Sequence, residues 1–335
     1  MLRRILASAA LLALAAALLV VAWPELFRLQ RTAIIAQLVS FRGAIAMAAL
    51  VIVVLLLLLV LVNGSFRRFG SALALLVLAF GLVNVAVLAT RGVGNPAFTT
   101  KSSSDITVLS WNTLGDAPGA KAIASLALDA GADVVVLPET TRATADAVAG
   151  LMQAGGHPMT LHSIAFDQVS KARSTSMLIS ARLGDYRVDG SAGSTSTLPT
   201  IVAQPADGSG PTIVAVHAVS PVPGELPHWR SDLEWLSKHC TGNTIMAGDF
   251  NATLDHMVGL ATPGKSFGNC TDAASSTRNA GIGTWPTALP ALLGAPIDHV
   301  MVTDGWRVTG MRVIEDQDKA GSDHRPVVAQ LQHAG

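Results

Sequence analysis

The stretch TIMAGDFNATLD, residues 244–255, decides how the rest of the chain is read. Three apolar residues, Ile245, Met246 and Ala247, lead through Gly248 to Asp249 and Asn251, with Phe250 between them. A short apolar run bounded by glycine reads as a buried strand, and this one ends on a carboxylate and a carboxamide two residues apart. Side chains alternate along an extended chain. Asp249 and Asn251 are therefore expected on one face, and Phe250 on the other, in the core.

The same pattern recurs. Asn112 follows the apolar run of DITVLSWN (105–112), Glu139 ends VVVLPE (134–139), and His217 ends IVAVH (213–217). Asp298 stands second in IDHVMV (297–302), and Asp323 and His324 lie in GSDHRPVV (321–328). Between these strands, residues 118–133 have helical periodicity, and a further helix is expected near 228–239. Each polar residue alone has an ordinary explanation: a turn asparagine, a helix start after Pro-Glu, a hydrogen-bonded core histidine. Together they place acids, amides and imidazoles at successive strand ends, where a rigid sheet presents functional groups.

In this order, WN (111–112), PE (138–139), VH (216–217), GDFN (248–251), IDHV (297–300) and GSDHRPV (321–327) resemble the endonuclease/exonuclease/phosphatase superfamily. The resemblance covers about residues 105–331 and implies the DNase I-like fold, a four-layer α/β sandwich. It also implies a metal-dependent hydrolase of phosphoric esters. Hard oxygen donors without a Cys/His cluster suit Mg2+ or Mn2+ rather than zinc. By resemblance, Glu139 is the expected direct metal ligand, with Asn112 and Asp323 nearby. Asp249 orients or deprotonates the attacking water, Asn251 and Asn112 bind substrate, and His324 is oriented by Asp298. His217 is expected to add a second donor to the phosphate. Asp116 in WNTLGD is a candidate for the acid that commonly follows WN. His299 reads as structural or as a substrate contact. Trp285 reads as a rim residue or as a plug under a loop.

The first third of the chain is of another kind. Residues 1–104 hold nine of the 23 Lys/Arg but only one of the 23 Asp/Glu, Glu25, leaving fourteen basic and 22 acidic residues to the remainder. Three uncharged apolar runs, about 5–23, 44–62 and 71–89, are each long enough to cross a bilayer, which takes roughly 20 residues. Residues 1–91 are therefore expected to be a membrane domain, 92–104 a flexible linker, and 105–335 the catalytic domain. The first run begins MLRR, as a secretion signal does, but it is too long for one and reads as an uncleaved anchor. Asn84, the strongly polar side chain within these runs, is expected to bond a neighbouring helix.

Three spans put the start of the chain and the catalytic domain on opposite sides. Arginines are balanced between the two sides, so the positive-inside rule does not orient them. The mixed loop 24–43 has the composition of an interfacial amphipathic segment. Cys240 and Cys270 flank one strand. Their pairing would favour an oxidising compartment, and two separate buried thiols are the alternative. The expected location is the plasma membrane with the catalytic domain outside the cytoplasm.

The acidic balance of the second part, without a Lys/Arg run, argues against extended nucleic-acid binding, so no stable nucleic-acid partner is expected. The expected partners are the lipid bilayer and a phosphate-ester substrate, lipid-derived or lipid-linked. A membrane-tethered extracytoplasmic nuclease is the alternative, and an inactive binding module a third reading. The sequence fixes no oligomeric state.

Overall fold

A computed structural model describes residues 1–334. Its first elements are three long helices, α1 (Leu2–Ala22), α3 (Arg42–Val62) and α4 (Arg67–Arg91), with a short helix α2 (Ile35–Ser40) between the first two. All three long helices are long and apolar enough to cross a membrane, which is consistent with membrane anchoring. Their apolar side chains mostly face outward, among them Leu12, Leu50, Leu57 and Leu82. Helices α3 and α4 pack closely because small residues meet: a Cβ on Gly81 would stand 3.0 Å from that of Ala49. Asn84 accepts a hydrogen bond from Arg42 of α3 at 3.0 Å.

The rest of the chain forms two six-stranded sheets. The first contains β1 (Ile106–Ser110), β2 (Val134–Pro138), β3 (Met159–Ala165), β4 (Ser174–Ser180), β11 (Trp306–Val313) and β12 (Val327–His333), in the order β11-β12-β1-β2-β4-β3. The second contains β5 (Tyr186–Val188), β6 (Ile201–Pro205), β7 (Thr212–His217), β8 (Thr244–Asp249), β9 (Thr271–Asp272) and β10 (Asp298–Val302), in the order β5-β6-β7-β8-β10-β9. Alternate residues of the central strands, such as Val108, Val136, Ala215 and Ala247, meet between the sheets. The outward alternates of the first sheet, Leu109, Val135 and Leu137, pack under α5 (Gly119–Asp129) and α6 (Arg142–Ala154). Those of the second, Val214, Val216 and Met246, pack under α7 (Leu226–His239). The result is helix, sheet, sheet, helix: the four-layer α/β sandwich, with both faces of each sheet buried.

Gly248 shows how tightly β7 and β8 are paired. Its φ is +144°, and a Cβ there would lie 2.0 Å from the carbonyl oxygen of Val216. Gly248→Ala is expected to destabilise the domain by about 3 kcal/mol or more, read as a lowered denaturant midpoint.

Residues 92–104, expected as a flexible linker, have no regular structure but lie along the catalytic domain. The Asn95 amide exchanges hydrogen bonds with the backbone of Val313 at 2.8 and 3.1 Å, and Lys101 pairs with Asp133 at 2.7 Å. Cys240 and Cys270 are joined in a disulfide with Cα atoms 5.7 Å apart.

The loop between α1 and α3 is docked as well. Ala36 is fully buried in the cluster that holds Val219, Trp229 and Phe250. Arg31 donates to the carbonyls of His256 and Val258, Gln30 donates to Val258, and Arg230 donates back to the Arg31 carbonyl. His256 donates from Nε2 to Ala36 O at 3.0 Å while its Nδ1 accepts from the Thr253 N–H. Burial holds this imidazole near pKa 4, in its neutral form.

Candidate active site

The parallel pairing of β7 with β8 sets His217 beside Asp249, and the antiparallel pairing of β10 with β8 sets Asp298 on its other side. Three neighbouring strands of the second sheet thus bring an imidazole and two carboxylates together. The first sheet contributes from the facing edge: Asn112 follows β1, Glu139 follows β2, and Asp323 and His324 precede β12. The Trp111 indole N–H donates to the His324 carbonyl at 2.9 Å, and Ser322 Oγ donates to the Asn112 carbonyl at 2.6 Å. These bonds lock the WN and SDH segments to one another.

The structure gathers all eight expected site residues at this edge. Asn112 Nδ2 bridges two of the acids, donating to Glu139 Oε1 at 3.1 Å and to Asp249 Oδ2 at 3.0 Å. His324 Nδ1 lies 2.9 Å from Asp298 Oδ2, and its Nε2 lies 3.8 Å from Asp249 and 3.9 Å from Asp323. Burial opposes a charge on His324, but Asp298 and Asp249 outweigh it and raise its pKa well above the ordinary value. It stands as an imidazolium that donates to Asp298. Burial and the neighbouring Asp298 raise Asp249, and burial raises Glu139 against the Asn112 hydrogen bond. His217 is the opposite case: burial, then the charge of His324, lowers it to about 3. Its Nδ1 faces the Thr175 hydroxyl at 3.2 Å, and its Nε2 is buried without a partner.

One expectation is corrected. Asn251 does not reach Asp249 by strand alternation, because β8 ends at Asp249 and Asn251 adopts a left-handed φ of +46°. The Asn251 backbone N–H donates to Asp249 Oδ1 at 2.8 Å, closing a local turn on that carboxylate. Its side-chain Nδ2 donates to Ala218 O at 3.0 Å and to Asp249 Oδ2 at 3.2 Å. Phe250 is fully buried against Phe267 and His299, as the sequence indicates. Glu139 is also left-handed, with φ +57°. Non-glycine residues held this way cluster at functional sites.

The remaining candidates separate cleanly. Asp116 accepts from the backbone and hydroxyl of Thr141 at the start of α6 and pairs with Lys171, so its contacts are structural. His299 is tied on both nitrogens, to Asp272 at 3.0 Å and to Ala252 O at 2.9 Å, and is structural too. Trp285 belongs to the site: its indole N–H donates to Asp323 Oδ2 at 2.8 Å.

The donor set fits a divalent ion. Asp323 retains a buried, unpartnered Oδ1, and Asp298 likewise. Asp249, Asp298 and His324 form a compact buried group whose donor atoms lie within 4.8 Å of one another, which could also hold a metal. Because His324 Nδ1 and one Asp298 oxygen are already committed to each other, that trio suits proton holding. Glu139 and Asp323 offer the hard oxygens.

A cavity of about 520 Å³ opens over these groups. Glu139, Asp249, Asn251, Asp323 and His324 form its floor. Its walls include Leu198, Val219, Val222 and Ile297, together with Gln37, Ser40 and Phe41 from the loop between α1 and α3. Nothing in the sequence pointed to those three, because they lie about 200 residues from the motif they face.

The fold and this cluster define a phosphoesterase of the DNase I-like kind. The model of the endonuclease/exonuclease/phosphatase family matches residues 109–324, and the chain belongs to that family. Its enzymes act on phosphate esters and use divalent metals. Among solved structures, an endonuclease/exonuclease/phosphatase from Beutenbergia cavernae is 19% identical, with a TM-score of 0.51, over 69% of this chain and 72% of that one. A D. rerio TDP2 complexed with single strand DNA product is 16% identical, with a TM-score of 0.53, over 69% of this chain and all of the other. At these identities the likeness shows the fold. No curated protein sequence matches the chain.

Proposed function

We propose that the chain is a membrane-anchored, divalent-metal-dependent phosphoesterase that hydrolyses a lipid-derived or lipid-linked phosphate ester at the cell envelope. The observation that carries this reading is the cavity wall: apolar side chains and the membrane loop stand directly over the catalytic carboxylates. A substrate bound there meets hydrocarbon along that wall. The Cys240–Cys270 disulfide supports placing the catalytic domain outside the cytoplasm.

The residues have separable tasks. Glu139, with Asp323 and Asn112, would hold the metal, and the chemistry a bound Mg2+ or Mn2+ supplies is polarisation of a phosphoryl oxygen. Asp249, oriented by Asn112 and Asn251, accepts a hydrogen bond from the attacking water and takes its proton. His324, kept cationic and aligned by Asp298, donates from Nε2 to a phosphoryl oxygen as charge builds. Neutral His217 can let Nδ1 accept from Thr175 and so direct an Nε2 proton toward the same phosphate. Asn251 redirects one N–H from Asp249 to the phosphate.

The test uses the full chain in detergent with Mg2+, offering phospholipids and single-stranded DNA to wild type and Asp249→Asn. Metal-dependent, Asp249-dependent lipid hydrolysis supports the reading. Preferential cleavage of DNA would replace it with a tethered nuclease. Glu139→Gln is expected to raise the Mg2+ concentration for half-maximal activity at least about tenfold, with a matching loss in calorimetric Mg2+ affinity.

A further inference from the structure

Gln37 and Ser40 are the polar side chains that the loop between α1 and α3 brings to the cavity, and Gln37 is the one whose acceptor is buried without a partner. Its Nε2 donates to the carbonyl of Pro221. That contact fixes which end of the amide is which, since two oxygens facing each other would repel. Oε1 is then left buried and without a hydrogen-bond partner, beside a cavity that Gln37 itself lines. A buried acceptor in this state carries a cost on the order of 1–3 kcal/mol unless something donates to it. Its surroundings narrow what that donor is. Ser40 has already committed its hydroxyl proton to Ala36 O at 2.9 Å. Phe41 packs against Trp285 with ring centroids 5.7 Å apart, and Trp285 in turn donates to Asp323. The wall runs from the carboxylate floor, through an aromatic pair, to the Gln37 acceptor.

From this geometry we infer that Gln37 is a substrate-binding residue. Its Oε1 accepts a hydrogen bond from a hydroxyl on the alcohol portion of the phosphate ester, and Phe41 and Trp285 flank the adjoining hydrocarbon. The preferred substrate is a phosphate ester of a hydroxylated alcohol rather than of a plain alkyl alcohol. The inference rests on reading the site as a phosphoesterase, and it names the substrate class.

sn-Glycerol 3-phosphate and n-propyl phosphate test it, because they share a three-carbon chain and differ in two hydroxyls. Calorimetric affinities are measured for both with Mg2+-loaded full-length protein, wild type and Gln37→Leu. Wild type is expected to bind glycerol 3-phosphate about tenfold more tightly. In Gln37→Leu the gap closes through weaker glycerol 3-phosphate binding, while propyl phosphate affinity is retained and reports an intact site. Equal wild-type affinities, or a parallel loss of both in the variant, would overturn the inference. Hydrolysis of bis(p-nitrophenyl) phosphate is measured separately. Wild-type activity no higher than that of Asp249→Asn would defeat the phosphoesterase reading itself, whatever the two affinities show.

Discussion

His324→Ala is expected to lower turnover of a phosphate ester by roughly 10³-fold while leaving the protein folded. Two functions are lost together: a cationic donor to the phosphoryl oxygens, and the electrostatic partner of Asp249. Preorganised donors contribute about 10²–10³-fold, and positioned proton transfer about 10²–10⁴-fold. Asp249→Asn should give a loss of similar size, because the amide cannot take the proton of the attacking water. Asn112 would still meet an oxygen there, while the new Nδ2 would face the Asn251 N–H that Oδ1 accepts from in wild type, so thermal unfolding is measured beside the rates. The two groups lie 3.8 Å apart and act on one transition state, so the double variant is expected to lose far less than the product of the single losses. Single-turnover rates of the three variants check this. Additive losses would mean that His324 and Asp249 work independently, contrary to the arrangement proposed here.

Asp255→Ala should be strongly destabilising although it lies outside the site. The carboxylate accepts from Arg42 through both oxygens, at 3.0 and 2.6 Å, and from Arg91 at 2.8 Å, and it is 4% exposed. Arg42 also donates to Ala22 O at the end of α1 and to Asn84 on α4. One acid thus joins all three long apolar helices to the segment that follows GDFN. Removing it leaves two guanidinium groups unpaired, one of them deeply buried, an effect of about 3–5 kcal/mol. Thermal unfolding, and protease cleavage between the membrane helices and the catalytic domain, would report it. A variant as stable as wild type would show that the contact is not an anchor. Burial disfavours the Asp255 charge, but Arg91 and Arg42 prevail and hold its pKa well below the ordinary 3.8. A carboxylate lowered on folding contributes stability that is fully present above about pH 4 and is lost as the pH falls further. Asp255→Asn should therefore remove its own share of the acid-induced loss of stability below pH 4, leaving that of other lowered carboxylates such as Asp133.

Much of the candidate site was legible because its residue pattern is local. Each site residue sits at a strand end, next to an apolar run that identifies the strand. Trp111-Asn112, Gly248 to Asn251 and Ser322 to His324 carry family-specific order besides. The three apolar helices were legible for a related reason, since length and hydropathy alone distinguish them. Asn251 was placed correctly for the wrong cause. A residue in a left-handed turn and a residue two further along a strand can both face the same way, and residue spacing does not separate them. Asp255 lies within the opening stretch, yet nothing in its neighbours marks it, because its partners Arg42 and Arg91 are more than 160 positions away in sequence. Read from the sequence, they count only as two of the balanced arginines.

The four-layer sandwich, the family and three helices long and apolar enough to cross a membrane could all be read from the chain alone. These follow from periodicity, from motif order and from the length of apolar runs, all properties of neighbouring residues. That the loop between α1 and α3 is a wall of the cavity, and that Arg42, Arg91 and Asp255 join the long helices to the second part of the chain, emerged only on folding. Those contacts arise where the chain folds back on itself across some 160 to 230 residues. Shape and buried charge select them there, and neither leaves a repeating signal along the chain.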